Sequence, residues 1–353
     1  MLLAAAIVAF LWIAKYLLLL LFAGILLAVL LRTLAGWVAQ RTGLRLGWSL
    51  ALVALVLFGG MVLSGILFAP RLAEEVRQLS QRVPEAVSSL RDQIQQTTFG
   101  GWILDQIGTA GGAQQQEQQQ QQVQERARIA VRKVIDGIVA IAIILFSGLY
   151  FAAQPEPYQR GLVRLLPQAR RRRAAEVLFA GGYTLRWWIL GQLLSMTVVG
   201  LLMGIGLTII GVPMAFALGV LAGLFEFVPT IGPIFGLLPA LVLSLAEGPQ
   251  SALYVLALYA VVQTLESYLL TPLVQHRVLE LPPMMTIATQ VLFAWTLGPV
   301  GLLVAVPLVA LMMVVVQMLY VKDFLGDRLE IHAEEEGRHE LEASDAFGDV
   351  PGV

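Results

Sequence analysis

Hydrophobic positions in this chain gather into runs long enough to cross a bilayer. Residues 2–14 are apolar, Lys15 interrupts, and 16–31 continue apolar to Arg32. The pattern predicts a short first helix and then a second one. A single long helix is the alternative, because tilt absorbs mismatch at little cost. Residues 32–47 carry Arg32, Arg41 and Arg45 and no acid, and Trp48 to Ala69 is an apolar run ending before Pro70. Further runs cover 134–153 and 187–210, and from Gly211 to Tyr320 the chain is almost wholly apolar but rich in Pro and Gly. These runs approach the roughly 20 residues that span about 30 Å of hydrocarbon.

The stretch from 70 to 127 has a different period. Leu72, Val76, Leu79, Val83, Val87, Leu90 and Ile94 recur every three or four residues, with Pro84 among them. That is the apolar stripe of an amphipathic helix, bent or broken at the proline. Gly100-Gly101 and Gly111-Gly112 follow, then a glutamine tract from Gln114 to Gln122 broken only by Glu117. Such a tract has no core to bury and predicts a loop or a weak helix.

Composition supports an all-α integral membrane protein with many spans. Hydrophobic residues make up 58% of the chain and charged residues 13%, against about 45–50% and 25% in soluble domains. Net charge is −1 and argues for no nucleic-acid partner. Cysteine is absent and the three histidines are scattered, so thiol chemistry is excluded and neither a metal nor a cofactor is expected. Residues 1–10 lack a basic leader region and a cleavage site, so the first run is expected to be retained.

Charge distribution orients the chain. Segments 32–47 and 154–186 concentrate arginine and hold few acids, which places both in the cytoplasm. The organisation expected is N-terminal transmembrane helices over 1–69 and an extracytoplasmic amphipathic segment with its Gln-rich loop over 70–133. A transmembrane helix at 134–153 and a basic cytoplasmic segment at 154–186 follow. A transport region covers 187–321, and a polar, acidic, mobile cytoplasmic tail covers 322–353.

Two stretches of the C-terminal half resemble each other. One begins Pro213-Met214 and reaches Gly232-Pro233; the other begins Pro283-Met284 and reaches Gly298-Pro299, each followed by a second apolar arm. Proline removes a backbone donor, and irregular backbone at membrane depth is tolerated only inside protein or beside a wet cavity. The pattern predicts two re-entrant helical hairpins, separated by one span over Leu253–Leu270 and so related by an inverted repeat. Two full kinked crossings are the alternative reading.

Polar residues inside these runs are the candidate chemistry. Glu226 stands just before the first break, Glu266 lies deep in the intervening span, and Gln192 and Gln263 also interrupt apolar runs. A charged group there costs about 2.5–3.5 kcal/mol on insertion scales, so each faces a cavity or a partner. The candidate substrate or coupling-ion residues are Glu226, Glu266, Gln263, Gln192, Thr230 and Ser267. Pro229, Gly232, Pro233, Gly298 and Pro299 are the candidate hairpin tips and breaks. Purely structural hydrogen bonding between helices is the competing role for the carboxylates, and helix-to-helix packing is the role expected of the two glutamines. His276 and Arg277 are expected to be interfacial anchors. The chain has no P-loop, no His-Glu-x-x-His and no Gly-x-Ser-x-Gly, so an enzyme is not expected.

The motif Glu226-Phe-Val-Pro-Thr-Ile-Gly-Pro, the pair Gln263-x-x-Glu266 ending at Pro272, and Leu185-Arg186 followed by Gly191-Gln192-Leu-Leu resemble the autoinducer-2 exporter family of bacterial permeases. The segment Leu165-Leu-Pro-Gln-Ala-Arg fits as well. The resemblance covers roughly residues 10–325 and is most specific over 183–310. Family members often carry Asn where this chain has Ser267, and the glutamine tract is no feature of the family. The resemblance implies a multi-pass protein of the cytoplasmic membrane, a homo-oligomer, specifically a pentamer, and an elevator-like movement of the hairpin region. It also implies a small polar solute, such as a signalling furanone, or a monovalent cation as cargo. Three functions stay open: export of a small polar organic solute, cation/proton antiport, and a non-transporting membrane scaffold.

Overall fold

The computed structural model describes residues 2–60, 62–63, 66, 74, 77–78, 119–270, 283–327, 331–342 and 350. The described residues contain helices and no strand. The apolar stripe from Leu72 to Ile94, the paired glycines after it, Pro272, His276 and Arg277 lie outside them.

Helix α1 runs unbroken over Leu2–Thr42, so the two-helix expectation for this stretch is corrected. Lys15 is only partly exposed within it. A lone charge does not break a helix; that takes proline, or glycine at a terminus, and no proline occurs before Thr42. The stop comes at Gly43, which adopts φ +70° and donates to the Ala39 carbonyl at 2.8 Å. At about 1.5 Å per residue α1 is some 60 Å long, so it absorbs part of the basic 32–47 segment. Helix α2 covers Leu46–Gly60. Helix α3 covers Gln119–Ala153 and takes in the last four glutamines of the tract. It packs on α1 where Gly148 meets Leu27 and Gly24 meets Ser147. Arg32 donates to the Ala152 carbonyl at 3.1 Å and so satisfies an end of α3.

The basic 154–186 segment is helical. Helix α4, Pro155–Arg164, has proline in its first turn, where the missing N–H costs nothing. Helix α5, Gln168–Ile210, is about 65 Å long at the ordinary rise, twice the hydrocarbon thickness. Its first turns carry the arginines and its remainder is apolar. It ends at Gly211, φ +87°, whose N–H reaches Leu207 O.

Helices α6 (Ala215–Phe225) and α7 (Gly232–Glu247) form the first hairpin. Gly219 and Gly223 of α6 lie against Gly200 and Gly204 of α5 so closely that a Cβ on Gly219 would stand 2.5 Å from the Gly204 Cα. This small-xxx-small pairing on both helices lets the backbones meet without side chains between them. Helix α8 (Pro249–Leu265) continues as a π-helical turn over Glu266–Leu270. Helix α9 (Pro283–Val315) is two arms broken at Gly298, where φ is +69° and ψ −158°, and it continues as a π-helical stretch, Val316–Lys322.

Helix α10, His332–Glu342, corrects the mobile-tail expectation over its own length; residues 328–330, 343–349 and 351–353 lie outside the described residues. Ile331 and Ala333 pack with Val177, Ala180, Tyr183, Val314 and Met318, and Gly337 presses on the Ala180 backbone. Three further apolar cores sit between the spans: α5 with α6, α7 and α8 around Met203, Leu207 and Leu218; α1 with α5 and the second arm of α9 around Phe22, Trp188 and Val304; and α1 with α2 and α3 around Leu31 and Leu50.

Among the described residues four helices are long and apolar enough to cross a membrane: Ala14–Thr42, Asp136–Ala153, Gln168–Ile210 and Met284–Lys322. Large apolar side chains stay exposed along them, among them Phe146, Ile209 and Trp295. Such faces suit lipid rather than water. The protein is a multi-pass α-helical protein of the cell membrane.

Candidate functional site

The first hairpin turns over residues 226–231, ahead of the Gly-Pro pair. Gly232 and Pro233 open α7 instead of forming the turn, because proline is preorganised for a first helical turn. The fold-back is tight. A Cβ on Gly232 would overlap the Phe225 carbonyl oxygen, and one on Gly236 would stand 3.0 Å from the Ala222 Cα. The tip itself is unusual. Ile231 N–H donates to Pro229 O at 2.8 Å, an i to i+2 bond that closes a γ-turn on Thr230. Thr230 has φ +71°, a region that β-branched residues rarely enter.

The second break folds back in a similar way. A Cβ on Gly301 would stand 2.6 Å from the Phe293 carbonyl oxygen, which a straight helix would hold far away. Leu297 and Val300 beside this break share an apolar cluster with Phe227 beside the first.

Glu226 caps the end of α6 and is 4% exposed. Its Oε2 is buried with no hydrogen-bond partner among the described residues. Its backbone carbonyl accepts from Gln192 Nε2 at 2.6 Å, joining residues 34 positions apart. Beside the carboxyl is a cavity of about 10 Å³ lined in part by Met203, Pro233, Gly236, Tyr259 and Gln263. That is the margin of room for one water molecule. Tyr259, Gln263 and Glu266 recur at helical spacing on one face of α8. Glu266 and Tyr259 stand within electrostatic range of Glu226.

Of the residues picked from sequence, the structure brings together Gln192, Glu226, Gln263 and Pro233, with Glu266 close by. Glu266 is half-buried on the π-helical turn, a distortion often found at functional sites. Ser267 is exposed, and its hydroxyl donates to Glu266 Oε2 at 3.3 Å. Thr230 is exposed at the tip, and Gly298 and Pro299 form the second break.

Sequence reasoning missed Tyr259 and Gln290. Gln290 lies on the first arm of α9, is fully buried, and donates from Nε2 to Pro229 O at 2.7 Å. A lone glutamine in an apolar run was the signal available, the same one that drew attention to Gln192. Among the described residues no group of three or more His, Asp or Glu side chains could hold a metal ion.

The model of the AI-2E family transporter family matches residues 1–320. The chain is similar to "Putative transport protein YrrI" of Bacillus subtilis (strain 168), 28% identical over 190 residues, which is 54% of each chain. It is similar to "Putative transport protein MT0215" of Mycobacterium tuberculosis, 26% identical over 329 residues, 89% of this chain and 87% of the relative. It is also similar to "AI-2 transport protein TqsA" of Escherichia coli (strain K12), 32% identical over 112 residues, 31% of this chain and 33% of the relative. The chain spans about half the length of the Bacillus subtilis relatives it matches.

Proposed function

This chain belongs to the AI-2E transporter family, and on that premise we propose that it exports a small polar organic solute across the cytoplasmic membrane, with Glu226 as the coupling residue. The observation that carries the reading is the Glu226 carboxyl, buried at a helix break with Oε2 unpartnered. A buried polar group normally finds a partner, and one left without is costly. At a hairpin tip, helix ends add unpaired backbone groups able to bind a polar solute or ion. The name of the Escherichia coli relative, an AI-2 transport protein, supports an autoinducer-2-like signal or related metabolite as cargo.

The cavity beside Glu226 has room for about one water, so an organic solute requires the surrounding helices to part. The proposed movement is elevator-like, with the two hairpins re-entrant and carried together, in a homo-oligomer that the family resemblance makes a pentamer. The cavity size also favours a second reading, in which Glu226 and Glu266 carry protons or monovalent cations in antiport.

Purified protein in liposomes separates these readings. Solute export predicts release of polar metabolites from loaded vesicles without a requirement for sodium. Antiport predicts sodium-dependent proton movement. A scaffold predicts neither, and absence of both fluxes from correctly inserted protein overturns the transport reading.

A further inference from the structure

The hydrogen bond from Gln290 to Pro229 links the two hairpins at their most constrained point. Its direction is forced, because a proline carbonyl only accepts. Gln290 comes from the first arm of α9 and Pro229 from the tip between α6 and α7, 61 positions earlier. Pro229 O already receives the Ile231 N–H at 2.8 Å, so it has a partner without Gln290. The glutamine is fully buried and its Oε1 has no hydrogen-bond partner among the described residues. As a means of satisfying polar groups the arrangement is poor: it buries one orphaned acceptor to serve a carbonyl that is already served. An apolar side chain of the same shape would be the better choice for stability.

The tip that Gln290 holds is strained and follows directly on Glu226. Thr230 sits at φ +71°, a strained conformation that persists only where the surroundings hold it. Val228, next to Pro229, is 8% exposed, and Glu226 is 4% exposed. From the other side Gln192 fixes the Glu226 carbonyl. One glutamine therefore pins the start of the turn to α5, and the other pins its apex to the second hairpin.

We propose that Gln290 is a positioning residue that latches the tip of the first hairpin to the second hairpin, and that the buried Val228 side of the tip meets bulk water only when this bond breaks. The latch rests on the reading of Glu226 as the coupling site. It gives the strained γ-turn a role: once released, the tip that follows Glu226 is free to relax.

The test uses the absence of cysteine from the chain. Val228→Cys is a buried reporter at the tip, and Leu165→Cys, at an 82% exposed position outside the site, is the control. Modification rates with a small charged thiol reagent are compared between the parent and Gln290→Met, in full-length protein reconstituted in liposomes. Methionine keeps length and volume but removes the donor. The expected result is a threefold to tenfold faster reaction at residue 228, the range set by one net hydrogen bond. The control rate should be unchanged and the thermal midpoint should not fall. An unchanged rate at residue 228 overturns the latch. So does a faster rate at both positions with a lowered midpoint, which marks Gln290 as packing alone. Should Gln290→Met fail to accumulate, Gln290→Asn withdraws the amide by one methylene and is judged by the same outcomes. Labelling reads no flux, so the latch and the coupling role of Glu226 fail independently.

Discussion

Arg173 and Glu334, 161 positions apart, meet at 2.8 Å and tie the C-terminal helix to the start of α5. The same guanidinium donates to both oxygens of Asp323 at 2.8 Å, to Glu176 at 2.8 Å and to the Met318 carbonyl at 3.2 Å. It thereby joins α5, the end of α9 and α10. Lys322 reaches Glu334 at 2.7 Å, and Arg338 reaches the same carboxylate at 3.4 Å. The Glu334 side chain is only 3% exposed.

Removing that carboxylate should loosen the C-terminal clasp. Glu334→Gln leaves Arg173 with Asp323 and Glu176 but takes the carboxylate from Lys322, and losing hydrogen bonds between charged groups costs about 1.5–3 kcal/mol. Thermal denaturation in detergent should show a clear drop, with α10 becoming accessible to protease. A midpoint equal to the parent's would mean that the clasp adds nothing to stability.

The same group predicts acid sensitivity. Burial alone pushes the Glu334 carboxyl up, but hydrogen bonds from Lys322 and Arg173 and their charges outweigh it and hold the carboxyl below its ordinary range. A depressed carboxylate contributes stability above its unfolded value, about 4.3, and loses it as pH falls through the folded value. Protease release of the C-terminal segment should therefore rise in acid, beginning below about pH 4.3, and Glu334→Gln should flatten that rise. An identical pH profile in the two proteins would assign the acid response to other groups.

The glycine crossing predicts a steric effect of known sign. In Gly219→Ala the new methyl meets the Gly204 backbone, which cannot rotate away, so α5 and α6 must separate. Overpacking of this kind costs about 1–3 kcal/mol. Gly59→Ala on α2 meets nothing within 4 Å and should be neutral or stabilising by up to about 1 kcal/mol, since Gly weakens a helix interior. Equal melting curves for the two variants would contradict the close crossing.

Glu226 and Glu266 predict different responses to amide substitution. Glu226→Gln keeps shape and hydrogen-bonding capacity and removes the titratable charge. Flux through this variant should lose its pH or cation dependence while the protein still inserts. Glu266→Gln, on the half-buried π-helical turn, should change that dependence less. Parental flux and pH dependence in both variants would leave the two carboxyls as structural residues.

The basic segment predicts a side. Leu165, at the end of α4, is 82% exposed among arginines. A cysteine there should react with an impermeant thiol reagent in inside-out vesicles and be protected in intact cells. The reverse pattern would invert the proposed orientation.

Hydropathy was enough to mark a multi-pass membrane protein, because runs of apolar residues long enough for a bilayer have few other uses. It did not reveal continuity. Lys15 reads as a boundary, yet α1 passes through it, since backbone hydrogen bonds and not side-chain charge end a helix. The two breaks were legible as well, because glycine and proline mark them chemically. The first lies just ahead of its Gly-Pro pair, since Pro233 can begin a helix but cannot continue one.

The candidate site was half legible. Glu226, Gln192 and Gln263 stand out because a polar residue in an apolar run is expensive wherever it points. Their neighbours do not. Tyr259 has an apolar ring and passes as lipid-facing, and Gln290 acquires meaning only from Pro229, 61 positions away. The tail shows the same limit. Its acidic composition reads as mobile, and only Arg173 and Lys322, brought in by α5 and α9, make a buried Glu334 tolerable. By itself the sequence determined which segments are apolar enough for lipid and where the backbone must break, because both depend on local residue chemistry. The tertiary structure decided which polar groups meet and which side of each break is held, because those depend on distances between segments that the order of residues does not encode locally.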